Sequence, residues 1–256
     1  MFASLSIAIV VALSGLAAPS AADPPLERTG THVLRPNLVT LPFADVSIER
    51  APGVRNLRFS NTVGNRGPGV LELYPIVDDC DGDGDPQDDR SAYQRIYGDT
   101  DGDGVFTRGV DQPVAERFVG CMFFHPEHDH WHLEDFARYV LARASSGRVV
   151  AVADKVSFCV RDSLSAWMLP GTPAQPYFGE CTQDGTTGMS VGWADLYAAD
   201  LFGQSLDIRG VPDGRYCLSS LTDPPRRIAE RRDDDNRRTL PIRIRGSSVR
   251  TLAGRC

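Results

Sequence analysis

From residue 54 to residue 77 the chain reads VRNLRFSNTVGNRG and, after a glycine-rich turn, GVLELYPIV, with apolar and polar side chains largely alternating. A period of two belongs to extended strands, whose successive side chains point to opposite faces. The pattern recurs along the chain. FARYVLARASSGRVVAVADKVSFCV, residues 136 to 160, predicts a hairpin turning at Ser145-Ser146-Gly147. QSLDIRG, GRYCLSSL and TLPIRIRG predict further strands punctuated by Pro, Gly and Asp, and no amphipathic stretch of three helical turns stands out. The expected fold class is therefore all-β: a single-domain β-sandwich with long loops and little helix, and no internal repeat or linker that would mark a second domain.

Residues 5 to 17, LSIAIVVALSGLA, form an apolar run too short to span a bilayer and are followed by small residues ending in PSAAD. This is the pattern of a signal peptide over residues 1–22, cut after Ala21 or Ala22, although no basic residue precedes the run. The expected location is secreted, with a domain over 23–256. The cysteines agree with export. All six lie after this segment, no CxxC pair occurs, and an even number in an exported chain points to structural disulfides. Proximity along the chain suggests Cys80–Cys121, Cys159–Cys181 and Cys217–Cys256.

A formal charge of −7 leaves no overall basic character, so neither a nucleic acid nor an anionic membrane surface is expected as a partner. Two loops are strongly acidic, residues 78–89 and 98–111. In the second, Asp99, Asp101 and Asp103 alternate and Gly104 follows, the first half of a calcium-binding loop, in which hard oxygen ligands converge on a tight turn. Val110 stands where such loops place a bidentate Glu.

FFHPEHDHWHLEDF carries the strongest chemical signal. Four of the five histidines fall at 125, 128, 130 and 132. In an extended strand His128, His130 and His132 share one face and can present three imidazoles to one ion, of which copper, zinc, iron and nickel are suitable. Lys155, in ADKVSFC, is the single lysine in a chain that otherwise uses arginine for every cation. Lysine can lose its proton when buried and become a nucleophile; arginine cannot. In a regular strand Lys155 shares a face with Ala153, Ser157 and Cys159. A regular hairpin would place Ala144 opposite Arg148 and Lys155 opposite Ala137, with His132 several residues away on the other face. A bulge, separate ladders, or movement of the chain would each alter that.

HPEHDHWHLEDFARYVL, ADKVSFCVRD, GMSVGWADLYAADLFGQSLDI and PDGRYCL occur in an order and spacing that resembles the catalytic domain of lysyl oxidases, over roughly residues 35 to 256. The likeness is to the secreted prokaryotic members, since Glu127 replaces a cysteine of the animal motif and the two acidic loops are extra. The resemblance implies a copper amine oxidase. His128, His130 and His132 would bind copper, with His125 as a neighbour. Lys155 and Tyr197 would supply a lysine tyrosylquinone, and the partners would be a primary amine and dioxygen. Asp195, on the same face as Tyr197 if that segment is extended, is the candidate base. Glu230 and Asn236 match a calcium segment of the family, whereas Arg232 and Asn37 replace carboxylates there. Two alternatives stay open. His128, His130 and Glu134 fit the H-x-H-x3-E pattern of cupin metal oxygenases, and a secreted metal- and calcium-binding module needs no turnover.

Overall fold

The computed structural model describes residues 32–256 apart from Pro86, Glu127, His128 and Phe202, and the backbone alone of Asp154, Lys155 and Val156. The expected signal peptide, residues 1–22, and His128 lie outside the described residues.

The described residues form strands and no helix. The first are β1 Val33–Leu34, β2 Leu38–Thr40, β3 Ala44–Ala51, β4 Val54–Asn65, β5 Leu71–Ile76 and β6 Asp89–Gly98. There follow β7 Gln112–His125, β8 His130–Arg143, β9 Val149–Phe158, β10 Leu164–Ser165 and β11 Thr187–Met189. The last are β12 Trp193–Tyr197, β13 Ser205–Asp207, β14 Gly214–Thr222, β15 Arg237–Arg245 and β16 Ser248–Thr251. The larger sheet runs β11-β5-β6-β7-β8-β14-β15-β16, with β1 on β6 and β9 on β8. The smaller runs β10-β12-β4-β13, with β2 and β3 on β4. The ladders are antiparallel. The all-β sandwich expected from the alternation is what forms.

One core lies between the sheets. Leu57, Phe59 and Val63, alternate positions of β4, meet Tyr139, Leu141, Phe158 and Tyr216 from the larger sheet. Phe59 packs edge-on against Tyr139, ring centroids 4.9 Å apart, a geometry that aligns the ring quadrupoles. A second cluster, including Leu34, Tyr97, Phe106 and Phe178, is where Phe106 of the second acidic loop is buried. The three disulfides are Cys80–Cys121, Cys159–Cys181 and Cys217–Cys256, the pairs that proximity suggests.

The hairpin β8–β9 departs from regular pairing in a way that matters for the site. Its turn falls near the expected place, with the Arg143 N–H donating to the Arg148 carbonyl at 2.8 Å, one residue earlier than Ala144 opposite Arg148. The ladder then shifts repeatedly. Tyr139 pairs with Ala153, but Ala137 pairs with Val156 and not with Lys155. On β9, Asp154 and Lys155 together therefore face Arg138 alone, which is a β-bulge. Farther on, Glu134, Asp135 and Phe136 face Ser157 alone before Leu133 pairs with Phe158. Asp135 takes a positive φ of 54° in this widened stretch, a conformation that Asp tolerates better than most residues. The expected face shared by Ala153, Lys155, Ser157 and Cys159 is thus broken at Lys155. Ala153 packs on the core before the bulge, and Phe158, of opposite parity, packs there after it.

Candidate functional site

β8 carries Trp131 and Leu133 into the core and so turns His130 and His132 to its other face. The Nε2 atoms of His130 and His132 are 3.0 Å apart, and the two rings stack with centroids 4.9 Å apart. β7 adds a third imidazole. His125 pairs with His130 across the ladder, and its ring centre is 5.1 Å from that of His132. Sequence alone left the role of His125 open because the β7–β8 register was not readable; that register puts it in the cluster. His132 is buried, at 6% exposure, and its Nδ1 lies 3.4 Å from the Ser157 hydroxyl on β9.

The spacing of the ring nitrogens tests whether an ion fits. Two nitrogens at the usual metal–imidazole distance of about 2.0–2.1 Å and 3.0 Å apart subtend about 95° at the metal. Two imidazoles at that spacing can therefore reach one ion of the kinds that imidazole suits, copper, zinc, iron and nickel among them. His130 also lies near the sulfurs of Cys159 and Cys181. Those sulfurs are joined to each other and are not thiolate ligands.

Tyr197 ends β12 and reaches the same segment of β9 from the smaller sheet. Its ring packs edge-on against Phe158 with centroids 3.7 Å apart, and its hydroxyl donates to the Cys159 carbonyl at 3.0 Å. Ser157 and Phe158 are consecutive on β9 and face opposite ways, so the imidazoles and the phenol approach this strand from its two sides. Burial, with the nearby Asp195 carboxyl adding to it, holds the phenol well above its usual pKa. Asp195 and Tyr197 pair with Val63 and Asn61 of β4 and share one face of β12. Asp195 is 2% exposed and burial pushes its carboxyl up to about 8, opposed by the Arg161 N–H, which donates to it at 3.3 Å.

The loop after β9 is held beside these groups. The buried Asp162 carboxylate accepts from the Ser190 N–H at 2.8 Å, from the Ser190 hydroxyl at 2.5 Å, and from the Tyr177 and Phe178 N–H groups at 3.1 Å. The Trp131 indole donates to the Gln183 carbonyl at 3.1 Å, and the Gln183 amide donates to Asp129 at 2.6 Å, which ties the loop to the histidine turn.

Asp99, Asp101 and Asp103 bring one carboxylate oxygen each within reach of a common point. Asp99 accepts from the Gly102 and Gly104 N–H groups, and buried Asp111 closes the loop on Thr100 and Thr107. Asp79, Asp81 and Asp83 repeat the arrangement, with Gly82 and Gly84 on Asp79 and with Asp89 in the closing place. The shared D-x-D-G-D-G spelling, 79–84 and 99–104, was the available signal for this second loop. Elsewhere Glu230 accepts from the Leu38 N–H at 2.7 Å and the Asn236 amide at 2.5 Å, while the Asn37 amide donates to Asp235 at 3.0 Å. Arg232 takes Asp234 and Asp235 as ion-pair partners. Asn37, Asp235 and Asn236 each keep one buried acceptor oxygen with no partner among the described residues.

Imidazoles gathered on one side of β9, which pairs with β8, with a half-buried phenol and a buried carboxyl on the other, define a histidine-cluster β-sandwich. The chain belongs to the lysyl oxidase family: the family model described as Lysyl oxidase matches residues 112–254. Among curated relatives, the Protein-lysine 6-oxidase of Rattus norvegicus is 34% identical over 124 residues, 48% of this chain and 28% of that protein. That of Sus scrofa is 33% identical over 124 residues, 48% of this chain and 47% of its own length. Lysyl oxidase homolog 1 of Homo sapiens is 35% identical over 107 residues, 40% of this chain and 17% of that protein. The match therefore spans less than half of each of these relatives. Among the described residues no helix is long and apolar enough to cross a membrane.

Proposed function

We propose that this protein is a secreted copper-dependent amine oxidase that converts primary amines, lysyl side chains or small diamines, to aldehydes. Ammonia and hydrogen peroxide are the other products, with dioxygen and water consumed. The observation that supports this reading most directly is the 3.0 Å separation of the His130 and His132 ring nitrogens one strand away from the Tyr197 phenol. The name Protein-lysine 6-oxidase carried by relatives supports the lysyl substrate.

In this reading His130 and His132 hold copper together with His128, and His125 borders the ion. Lys155 and Tyr197 supply lysine tyrosylquinone, which when formed accepts the two electrons of the amine and passes them to dioxygen. Ser157 orients His132 through Nδ1, as outer partners of ligating imidazoles do. The Cys159 carbonyl holds the Tyr197 hydroxyl proton and fixes the ring on Phe158. Asp195, held neutral below pH of about 8 by burial, takes up the amine's α-proton in its ionised form. The bulge frees Asp154 and Lys155 from the regular ladder, which is what a lysine that must reach a tyrosine across β9 requires. Asp99, Asp101 and Asp103 hold calcium as a structural ion.

Quinone-dependent redox staining of the denatured protein, together with peroxide release from benzylamine, cadaverine or a lysyl peptide, tests the proposal. Lys155→Arg and Tyr197→Phe are each expected to abolish both signals while copper stays bound. Absence of staining from copper-replete, aerobically matured wild-type protein overturns it and favours an oxygenase or a non-catalytic binding module.

A further inference from the structure

β4 presents Leu57, Phe59, Asn61 and Val63 at alternate positions on the face that builds the core. At the third of these an amide stands where the pattern calls for an apolar side chain. Asn61 is 1% exposed, and neither its Nδ2 nor its Oδ1 has a hydrogen-bond partner among the described residues. A buried amide with both ends unpaired is rare, because desolvation of each end goes uncompensated. The neighbouring Tyr139 hydroxyl is engaged with Gln204, donating to its Oε1 at 3.3 Å and facing its Nε2 at 3.2 Å; Asn61 stands close enough to that phenol to favour its ionised form, yet outside the distance and angle of a full hydrogen bond.

Asn61 lies directly opposite Tyr197 in the β4–β12 ladder, so their side chains leave the same face as cross-strand neighbours. The tyrosine carries one polar atom, and that atom is already committed to the Cys159 carbonyl. Once oxidised to a quinone joined to a lysine nitrogen, the ring gains polar atoms along an edge that is partly shielded from solvent against the core. They need partners there. An asparagine side chain offers a donor and an acceptor together, so it can serve a ring carbonyl in one redox state and a ring hydroxyl in the other.

We infer that Asn61 holds the oxidised Tyr197 ring, its amide hydrogen-bonding the polar atoms that the ring acquires. This rests on the reading of Tyr197 as the source of the quinone. Leucine, branched at the same carbon, removes the amide without opening a cavity, and such an exchange of a buried unpaired polar group is neutral or stabilising for a fold. Asn61→Leu is expected to melt at or above the wild-type temperature with full copper content. Its phenylhydrazine-reactive chromophore should fall about tenfold, the weight of one hydrogen bond of ordinary strength, and the quinone carbonyl band in the resonance Raman spectrum of the remainder should move to higher wavenumber. Asn61→Ala carries the same comparison should the leucine variant fail to accumulate. A wild-type chromophore that either variant forms in equal yield with an unmoved carbonyl band overturns this inference alone. A wild type with no such chromophore overturns the Tyr197 reading and this inference with it.

Discussion

The Tyr197 hydroxyl donates to the Cys159 carbonyl at 3.0 Å, and Cys159 is in turn bonded to Cys181, in the loop that Asp162 and Gln183 pin beside the histidine turn. The phenol is thus positioned by the same residue whose sulfur anchors the wall of the imidazole cluster. Replacing both Cys159 and Cys181 by alanine removes a cross-link that closes 22 residues, worth about 3 kcal/mol by loop entropy. A lower melting temperature is expected, together with a loss of copper retention that single substitutions on distant loops do not show. Calorimetry and elemental analysis on the same preparations check it.

Ser157 touches the cluster with its hydroxyl 3.4 Å from His132 Nδ1. Ser157→Ala is expected to weaken copper binding by about 10- to 100-fold, the usual cost of losing an orienting partner, with little change in fold stability. His132→Ala should remove binding at micromolar copper. Competition titration against a chelator of known affinity distinguishes the two, and equal affinity of Ser157→Ala and wild type would show that the serine has no orienting role.

Asp195 makes stability depend on pH with a sign opposite to that of most carboxylates. Its folded value is pushed up to about 8 by burial, whereas an unfolded aspartate titrates near 4. Between those values the folded protein keeps a proton that the unfolded chain gives up, so stability from this group is present below pH of about 4 and declines as pH rises toward 8, by up to about 1.4 kcal/mol per unit. Asp195→Asn should flatten that slope in chemical denaturation measured at several pH values. In activity, the wild-type rate should climb through pH of about 8 as the carboxylate forms, and the asparagine variant should lose this limb.

If the proposed calcium site is correct, calcium is expected to raise the melting temperature of the wild type, and Asp99→Asn to reduce that rise by weakening the carboxylate that holds the Gly102 and Gly104 amides. The measurement is a calorimetric titration with calcium after chelation. Equal shifts in wild type and variant would assign the effect to another site.

Phe158 is fully buried between Phe136 and Tyr197. Phe158→Ala should cost about 3–5 kcal/mol and loosen the tyrosine ring together with the core. Denaturant unfolding followed by tyrosine fluorescence checks both effects.

Much of this architecture was legible because its signals are local. Alternation at Leu57, Phe59 and Val63 fixes which face of β4 is inside, and a two-residue separation puts Asp195 and Tyr197 together once β12 is extended. The disulfides followed from proximity. What was hidden depends on pairing between segments. No period in ADKVSFC announces that Asp154 and Lys155 share one partner, and none in HLEDFAR announces the three residues set against Ser157. The place of His125 is set by the β7–β8 register, which a short turn fixes and residue type does not. Asn61 did leave a trace, as the polar member of an apolar series, but the trace acquires meaning only once Tyr197 is known to lie opposite.

The widened stretch Glu134–Phe136 works as a slip joint within β8. Strand segments on either side of it keep separate alignments, so a length change on the sandwich side need not flip the imidazoles inward.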